Sequence, residues 1–471
     1  MQRQTEFHSL VRRYIHSAGH TDDFARIDGF LKRHEGTGKS QDWVIEKDDG
    51  HDSFLHYITY LAFVTARGEG ESAEGGPKRG YYDLYQETAK KQNKTPEELA
   101  TIVTLNLLKR ILFFIRGGKT IKGTIPGNLD EDKYQQLLSC TGKEGSTVLR
   151  STVRTRNLDL YNLVIAELRK FPEVFRKNLE NISNESFNIL QTAVYTENEN
   201  FTKLIISELQ KFPDILKKNM EHINNDGCLI LHSAAFTGNK GIATLVIDEL
   251  RKYPDIYKKN LENITANGFS VLQGAIKSGN IDLTKFIISE LKKYPDVYKQ
   301  NLENITNDGF SPLHHAVMSG NLDICNLIIA ELQAYPYIYK KNFETLATSG
   351  FSVLQSTAKC DDTLASRIFI AFNDIIELEQ RKKMLTMVTD GQWNLLHAAV
   401  YRKDPAPMLE IIAKAFKSTF GDETQEKMRE LWRQKNNKEY SPQGSFDRLP
   451  PKIKNWLSPE TAGLLGISRG R

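Results

Sequence analysis

Hydrophobic residues in the middle of this chain fall three and four positions apart, which is the periodicity of helices that bury one face. Leu283, Phe286, Ile287 and Leu291 form one such stripe. The pattern itself recurs, because a leucine returns at intervals of 41 residues. These leucines are Leu149, Leu190, Leu231, Leu272, Leu313 and Leu354. The sequence therefore predicts an all-α chain built from one repeated unit.

Three other residue types keep the same interval. The prolines are Pro172, Pro213, Pro254, Pro295 and Pro336. The asparagines are Asn178, Asn219, Asn260, Asn301 and Asn342. The glycines are Gly227, Gly268, Gly309, Gly350 and Gly391, and their register extends back to Ser186 and Gly145. Four markers in one register exclude coincidence.

Turn and capping residues within each unit predict where its helices begin and end. Asn267-Gly268 and Asp308-Gly309 are turn pairs that tolerate positive φ. The hydroxyl groups that follow are expected to cap the next helix, and Pro312 suits its first turn. These hydroxyls belong to Ser270, Ser311 and Ser352. Helix ends are predicted at Gly238, Gly279 and Gly320.

The unit resembles the ankyrin repeat, with Ser in place of Thr. The matching residues are Gly309, Ser311, Pro312, Leu313, His314, Ala316 and Gly320. The His position varies along the chain but mostly keeps a hydrogen-bonding side chain: Arg150, Gln191, His232, Gln273, His314 and Gln355. The resemblance implies an ankyrin-like α-solenoid. Because an ankyrin unit has about 33 residues, the extra stretch PDVYKQNLENI, from Pro295, predicts a short third helix.

Four regions follow from this register. We expect an N-terminal helical cap in 1–47 and a divergent repeat in 48–143, interrupted by a Gly-rich loop at 67–80. Six repeats are expected in 144–389. A last divergent repeat and a C-terminal helical cap, with a helix near Thr424 to Arg433, are expected in 390–471. Such caps keep the ends of a solenoid soluble.

The composition of the 471 residues suits a folded cytoplasmic protein. With 63 basic and 59 acidic residues, the formal charge of +4 gives no general attraction to nucleic acid or membranes. The four cysteines are too scattered for a disulfide framework or a pair of zinc knuckles. No secretion signal or membrane span is expected, since the most apolar run, Ile111 to Ile115, is too short.

An enzyme is the alternative class. Six histidines, with Asp48, Asp49 and Asp52, could form a metal site: His8, His16, His20, His34, His51 and His56. His51-Asp52 resembles the dyad of HD-type phosphohydrolases, which would place a metal-dependent hydrolase in residues 1–140. The repeat alignment instead explains His56 as structural. We therefore favour a non-enzymatic chain that needs no cofactor or metal.

Two phosphate-loop fragments, Gly36 to Ser40 and Gly117 to Thr120, lack the first glycine of the full motif. Cys228 lies near His232 but fills the position of a repeated phenylalanine, so it is interpreted as a packing residue. Lysine pairs recur with a glutamate three residues later, which favours a solvated, self-neutralising face over a phosphate-binding stripe. These pairs are Lys217-Lys218, Lys258-Lys259 and Lys340-Lys341.

Two rows of side chains are candidates for binding a partner. One is the phenylalanine after each turn, which could equally pack against its neighbours: Phe187, Phe269, Phe310 and Phe351. The other is the side of the first helix that the resemblance places at the surface: Tyr195, Ser233, Phe236, Lys277, His315 and Met318. These residues differ between copies although their neighbours hardly change. Aromatic residues and Met suit an interface.

The preferred function is therefore a monomeric scaffold whose concave ankyrin surface binds a partner protein. The Lys/Asn/Ile-rich repeats are similar to those of ankyrin-repeat effectors of intracellular bacteria such as Legionella. That resemblance implies a secreted protein that acts in the cytoplasm of a host cell.

Overall fold

The computed structural model describes Lys90, 135–136, 138–142, 145–449 and 456–467. These residues fall into two compact units that divide between Asn225 and Asp226. In the described ranges the secondary structure is helical, apart from a single bridge between Thr141 and Thr147. The prediction of an all-α chain is confirmed.

Five successive triplets of helices repeat with little variation. The first helices are α1 Val148–Arg154, α4 Ile189–Tyr195, α7 Ile230–Phe236, α10 Val271–Lys277 and α13 Pro312–Met318. The second are α2 Leu158–Leu168, α5 Glu199–Leu209, α8 Lys240–Leu250, α11 Ile281–Leu291 and α14 Leu322–Gln333. The third are α3 Pro172–Glu180, α6 Pro213–Glu221, α9 Pro254–Glu262, α12 Pro295–Glu303 and α15 Pro336–Glu344. The short third helix is confirmed in every triplet.

Burial follows the sequence pattern. Leu272, Ile276, Leu283 and Leu291 are buried between the helices of one repeat. First helices of neighbouring repeats also pack together, as α10 does against α13. Each third helix starts at its proline, where the missing N–H costs no hydrogen bond. Three of its apolar residues then turn inward, as Val297, Tyr298 and Leu302 do.

The sixth repeat departs from the others because its helices shift in register. Its elements are α16 Val353–Ser356, a 3₁₀ turn at Thr357–Lys359, α17 Asp362–Ile375 and α18 Leu378–Thr386. Asn321 caps α14, and Asp361, 40 residues later, caps α17. The regular interval is 41 residues, so one residue is missing before α17. The longer α17 ends at Ile375, and Glu377 stands where the regular repeats have proline. The seventh residue of α18 is Met384, where the regular repeats have asparagine.

The remaining helices are α19 Leu395–Val400, α20 Ala406–Phe420, α21 Thr424–Arg433, α22 Pro442–Asp447 and α23 Pro459–Leu465. The predicted helix from Thr424 to Arg433 is confirmed. Trp432 on α21 is buried against Phe446 of α22, with ring centroids 5.5 Å apart.

The repeated asparagine of the third helix joins adjacent repeats through its amide. Asn301 accepts a hydrogen bond from the backbone N–H of Leu272 at 3.3 Å and donates one to the Leu261 carbonyl at 3.1 Å. Leu272 lies in the first turn of α10, and Leu261 lies near the end of α9 in the preceding repeat. Both are helix-end groups that lack a partner within their own helix. Asn342 makes the same two bonds one repeat later.

A second connection uses a nearly buried glutamate on the second helix. Glu290 accepts hydrogen bonds from Arg251 at 2.7 Å, Lys293 at 2.6 Å and the Tyr257 hydroxyl at 2.5 Å. Arg251 and Tyr257 belong to the preceding repeat. Burial opposes ionisation, but the bonds from Lys293 and Tyr257 and the charge of Arg251 hold the pKa of Glu290 below its usual value.

Candidate protein-binding surface

A tight turn, which we call the finger, precedes each first helix and sets the position of its phenylalanine. In the finger before α13, Thr306 N–H donates to the Phe310 carbonyl and Gly309 N–H donates to the Thr306 carbonyl. Gly309 has φ of 80°, and a Cβ there would lie 2.4 Å from the Leu346 carbonyl oxygen of the next finger. Glycine is therefore required both by the backbone conformation and by the close approach.

The fingers of the second unit are joined by backbone hydrogen bonds, one for each pair of neighbours. Asn307 N–H donates to the Asn267 carbonyl at 3.1 Å, and Thr348 N–H donates to the Asp308 carbonyl at 2.8 Å. A side-chain bond from Asn304 to the Gly268 carbonyl, at 2.7 Å, reinforces the first pair. The phenylalanines that follow these turns are thereby held at fixed spacing.

A reciprocal cap begins the first helices α4, α10, α13 and α16, whose third residue is Gln or His. Helix α7 begins without a side-chain cap, because Leu229 precedes it. Ser311 Oγ accepts from the His314 N–H, and His314 Nδ1 accepts from the Ser311 N–H at 3.3 Å. Gln273 makes the same pair with Ser270 through its side-chain oxygen, and its nitrogen donates to the Phe310 carbonyl at 3.1 Å. The predicted serine caps and the predicted hydrogen-bonding role are confirmed.

Aromatic rings from three successive repeats meet on one face of the second unit. The Phe269 ring lies 5.6 Å from Phe236 of the preceding repeat and 5.0 Å from His315 of the following one. His315 also contacts Phe310 at 5.7 Å. The Lys277 ammonium lies over Phe269, 4.8 Å from the ring centroid. Two fingers and three first helices thus contribute to one continuous cluster.

The outer layer of this cluster is open to solvent. Met318, at the last position of α13, is 50% exposed, and Lys277 at the same position of α10 is also exposed. Phe236, Phe269 and Phe310 are half-buried, so each keeps part of a ring at the surface. We call Phe236, Phe269, Lys277, Phe310 and Met318 the aromatic surface.

Two predicted surface residues are buried, and their placement is a correction. Ser233 is 0% exposed and His315 only 5%. Both are the fourth residue of a first helix, whereas the exposed Lys277 and Met318 are the seventh. In the fourth position His315 lies under the rings of Phe269 and Phe310, and the Ser233 hydroxyl turns back to the Leu229 carbonyl. Neither side chain can touch a partner directly.

In the first unit, Tyr195 occupies the exposed seventh position of α4 and is 38% exposed, as expected. Its ring meets Phe187 edge-on at 5.3 Å. Phe351, in the finger before α16, is half-buried like Phe269 and Phe310. The phenylalanines thus pack against neighbouring side chains and remain partly exposed. Their contact with a partner stays a prediction.

Comparison with known proteins bears on this architecture. Residues 250–342, which include α9 and all of α10 to α14, match the family model of ankyrin repeats in three copies. The fold is an all-α ankyrin solenoid. Among solved structures, the chain is similar to the ankyrin repeat domain of Bcl-3, a member of the IkappaB protein family. The identity is 14%, the TM-score 0.33, and the match covers 66% of this chain and 98% of the other. A comparison with curated proteins gives no match.

Ankyrin repeats indicate a scaffold for protein–protein interaction. The lysine pairs agree with the self-neutralising interpretation, because the ammonium groups of four of their six lysines meet glutamates within or between repeats. Lys258 lies 3.3 Å from Glu262, and Lys341 lies 2.7 Å from Glu303 of the preceding repeat. The described helices include none long and apolar enough to cross a membrane.

Cys228 is correctly interpreted as a packing residue. It is buried in the finger before α7, and burial raises the pKa of its thiol to about 12. A thiol with this pKa stays protonated at neutral pH and is a poor nucleophile. The proposed metal residues from His8 to His56, both phosphate-loop fragments and the loop at 67–80 lie outside the described residues. In the ranges that are described, no group of three or more His, Cys, Asp or Glu could hold a metal ion.

One aromatic pair lies outside the 41-residue register. The Trp393 ring contacts Tyr401 at a tilt of 43° with centroids 5.0 Å apart, and Tyr401 is exposed at the end of α19. They occupy the finger and helix-end positions of the next repeat, displaced by one residue. The displacement places the positive φ at Gln392 instead of Gly391. The signal was the extra residue before Leu396, which shifts both aromatic residues out of the 41-residue register.

Proposed function

We propose that this chain is a protein-binding scaffold and that the aromatic surface is where the partner binds. The main support is the exposure of Met318 and of three phenylalanine edges on adjoining repeats. Aromatic residues and methionine are enriched at protein interfaces relative to the rest of the surface. We propose that this side is the concave surface of the ankyrin solenoid.

The frame beneath the aromatic surface supports the same function. The finger-to-finger backbone bonds at Asn307 and Thr348 and the amide bonds of Asn301 hold three repeats in fixed relation. The rings therefore lose little conformational freedom when a partner arrives. A smaller ordering cost leaves more of the contact energy for affinity.

We also propose an oligomeric state, a repeat number and a cellular location. We propose a monomer built from six repeats in 144–389 with a last divergent repeat and cap in 390–471. A role as a bacterial effector in the cytoplasm of a host cell is supported by the resemblance of the repeat composition to such effectors.

The function is tested by capturing partners from a cell lysate on the full chain and measuring their amounts by mass spectrometry. Met318→Ala and Phe236→Ala are expected to lose the same partner, because both remove apolar area from the aromatic surface. Tyr337→Ala is the matched control, since Tyr337 is 73% exposed on α15, away from the fingers. Unchanged capture by both surface variants would show that the partner binds elsewhere.

A further inference from the structure

Lys277 is the one charged member of the aromatic surface. Its ammonium lies against Phe269, and the seventh residues of the flanking first helices are Phe236 and Met318. No carboxylate of the described residues lies within ion-pair distance of it. Two other lysines of the same unit do have such a partner, since Lys252 meets Glu249 at 2.7 Å and Lys293 meets Glu290 at 2.6 Å.

The surroundings of Lys277 favour a carboxylate as its missing counterion. His315, whose ring also contacts Phe269, is buried, and its pKa is lowered to about 4 by burial and then by the charge of Lys277. The imidazole is therefore neutral at pH 7, and Lys277 is the cation of this surface. A carboxylate brought here by a partner would exclude water from the ammonium. An ion pair strengthens as the local dielectric falls.

The spacing of the surface adds a second requirement. Packed neighbouring helices lie about 8–10 Å apart, so Phe236 and Met318 flank Lys277 at roughly that distance. An extended chain covers about 3.3 Å per residue. Apolar side chains that reach Phe236 and Met318 would therefore lie within about four residues of the carboxylate on either side.

We infer that the partner presents an aspartate or glutamate to Lys277 and packs flanking apolar side chains on Phe236 and Met318. This inference rests on the proposed function, because it takes the aromatic surface as the binding site. The occupant is thus a short acidic segment of a protein with large apolar residues on both sides. Lys277 supplies charge selectivity, and the rings and Met318 supply apolar contact area.

The experiment is a selection of random 12-residue peptides displayed on phage against the immobilised full chain and against its Lys277→Glu variant. Wild type is expected to enrich an acidic residue flanked by apolar ones, and Lys277→Glu is expected to enrich lysine or arginine at that place. Lys285→Glu is the matched control, because Lys285 is exposed on α11 of the same repeat. It is expected to select the same peptides as wild type.

Affinities of a synthetic selected peptide then quantify the effect. Lys277→Glu should weaken binding of the acidic peptide at least about tenfold, and replacing its acidic residue by lysine should restore binding to that variant. Wild-type affinity should fall between 50 and 300 mM NaCl, whereas Lys277→Met should respond little. Equal melting temperatures of all variants establish that the fold is unchanged.

The outcomes separate this inference from the proposed function. Peptides that need Met318 but lack an acidic residue, or that ignore Lys277→Glu, would overturn the carboxylate inference and leave the binding surface in place. A selection that gives only peptides insensitive to Met318→Ala and Phe236→Ala would overturn the binding surface itself.

Discussion

Replacing Asn301 by alanine tests how adjacent repeats are joined. Asn301 is 1% exposed, and its amide joins the start of α10 to the end of α9. Alanine preserves α12, since it has a high helix propensity. The substitution therefore removes the connection between repeats without disturbing the helix that carries it.

The expected loss follows from the bonds that disappear. The Leu272 N–H and the Leu261 carbonyl would both remain buried without a partner, at about 1–1.5 kcal/mol each. A third bond, to the Val297 carbonyl at 2.9 Å, adds little because that group lies within α12. The small cavity adds about 1 kcal/mol. We expect Asn301→Ala to lower the free energy of unfolding by about 3–4 kcal/mol.

The measurement is urea unfolding of the full chain, followed by circular dichroism at 222 nm. Asn267→Ala is the control, because Asn267 is exposed at a fingertip and should change stability by less than about 0.5 kcal/mol. A loss for Asn301→Ala no greater than that of the control would refute the role given to this amide.

Three further changes test other parts of the structure. Gly309→Ala should cost at least about 2 kcal/mol by thermal unfolding, because alanine at φ of 80° is strained and its Cβ would meet the next finger. Burial lowers the pKa of His314 to about 3. Its contribution to the free energy of unfolding is therefore complete above about pH 6.5 and is lost as the pH falls toward 3. Lowering the pH from 7.5 to 5 should reduce the free energy of unfolding of the His314→Gln variant, which has the Gln273 arrangement, by about 2 kcal/mol less than that of wild type. Glu290→Gln should cost about 1–2 kcal/mol in urea unfolding at low salt, because Arg251 and Lys293 lose their counterion.

Each of these changes has a comparison that can contradict it. Gly320→Ala matches Gly309→Ala in positive φ, but nothing lies within 4 Å of its added Cβ, so equal losses would show that finger contact is unimportant. An unchanged pH profile for His314→Gln would mean that His314 does not titrate as described. If Glu290→Gln were no worse than the same change at Glu262, whose side chain is 41% exposed, the buried ion pairs would contribute nothing.

Local features were predictable from sequence because they depend on near neighbours. The turn at Gly309, the cap by Ser311 and the start of α12 at Pro295 each follow from one residue and the next few. The sixth repeat was not predictable, because its single-residue loss before Asp361 is hidden by the longer α17. Leu354 and Gly391 keep the 41-residue interval, although α17 and α18 between them are shifted.

The remaining differences between the sequence-based predictions and the structure arise from contacts between residues far apart in the sequence. Asn301 was visible as a marker, but its bonds reach residues 29 and 40 positions away, so its role needed coordinates. His315 was expected at the surface because the resemblance to ankyrin repeats places it there. Rings from two different fingers cover it, and one-dimensional spacing carries no information on them. Met318, one helical turn later, is not covered by these rings and is exposed.

Hydrogen–deuterium exchange of the full chain, alone and with a peptide selected on it, tests the central claim that the aromatic surface binds a partner. Slower exchange is expected in 266–277 and 307–318, which carry the fingers and first helices of two repeats. The third helices Pro295–Glu303 and Pro336–Glu344 should exchange at unchanged rates. Protection confined to those third helices, with none in the fingers, would contradict it.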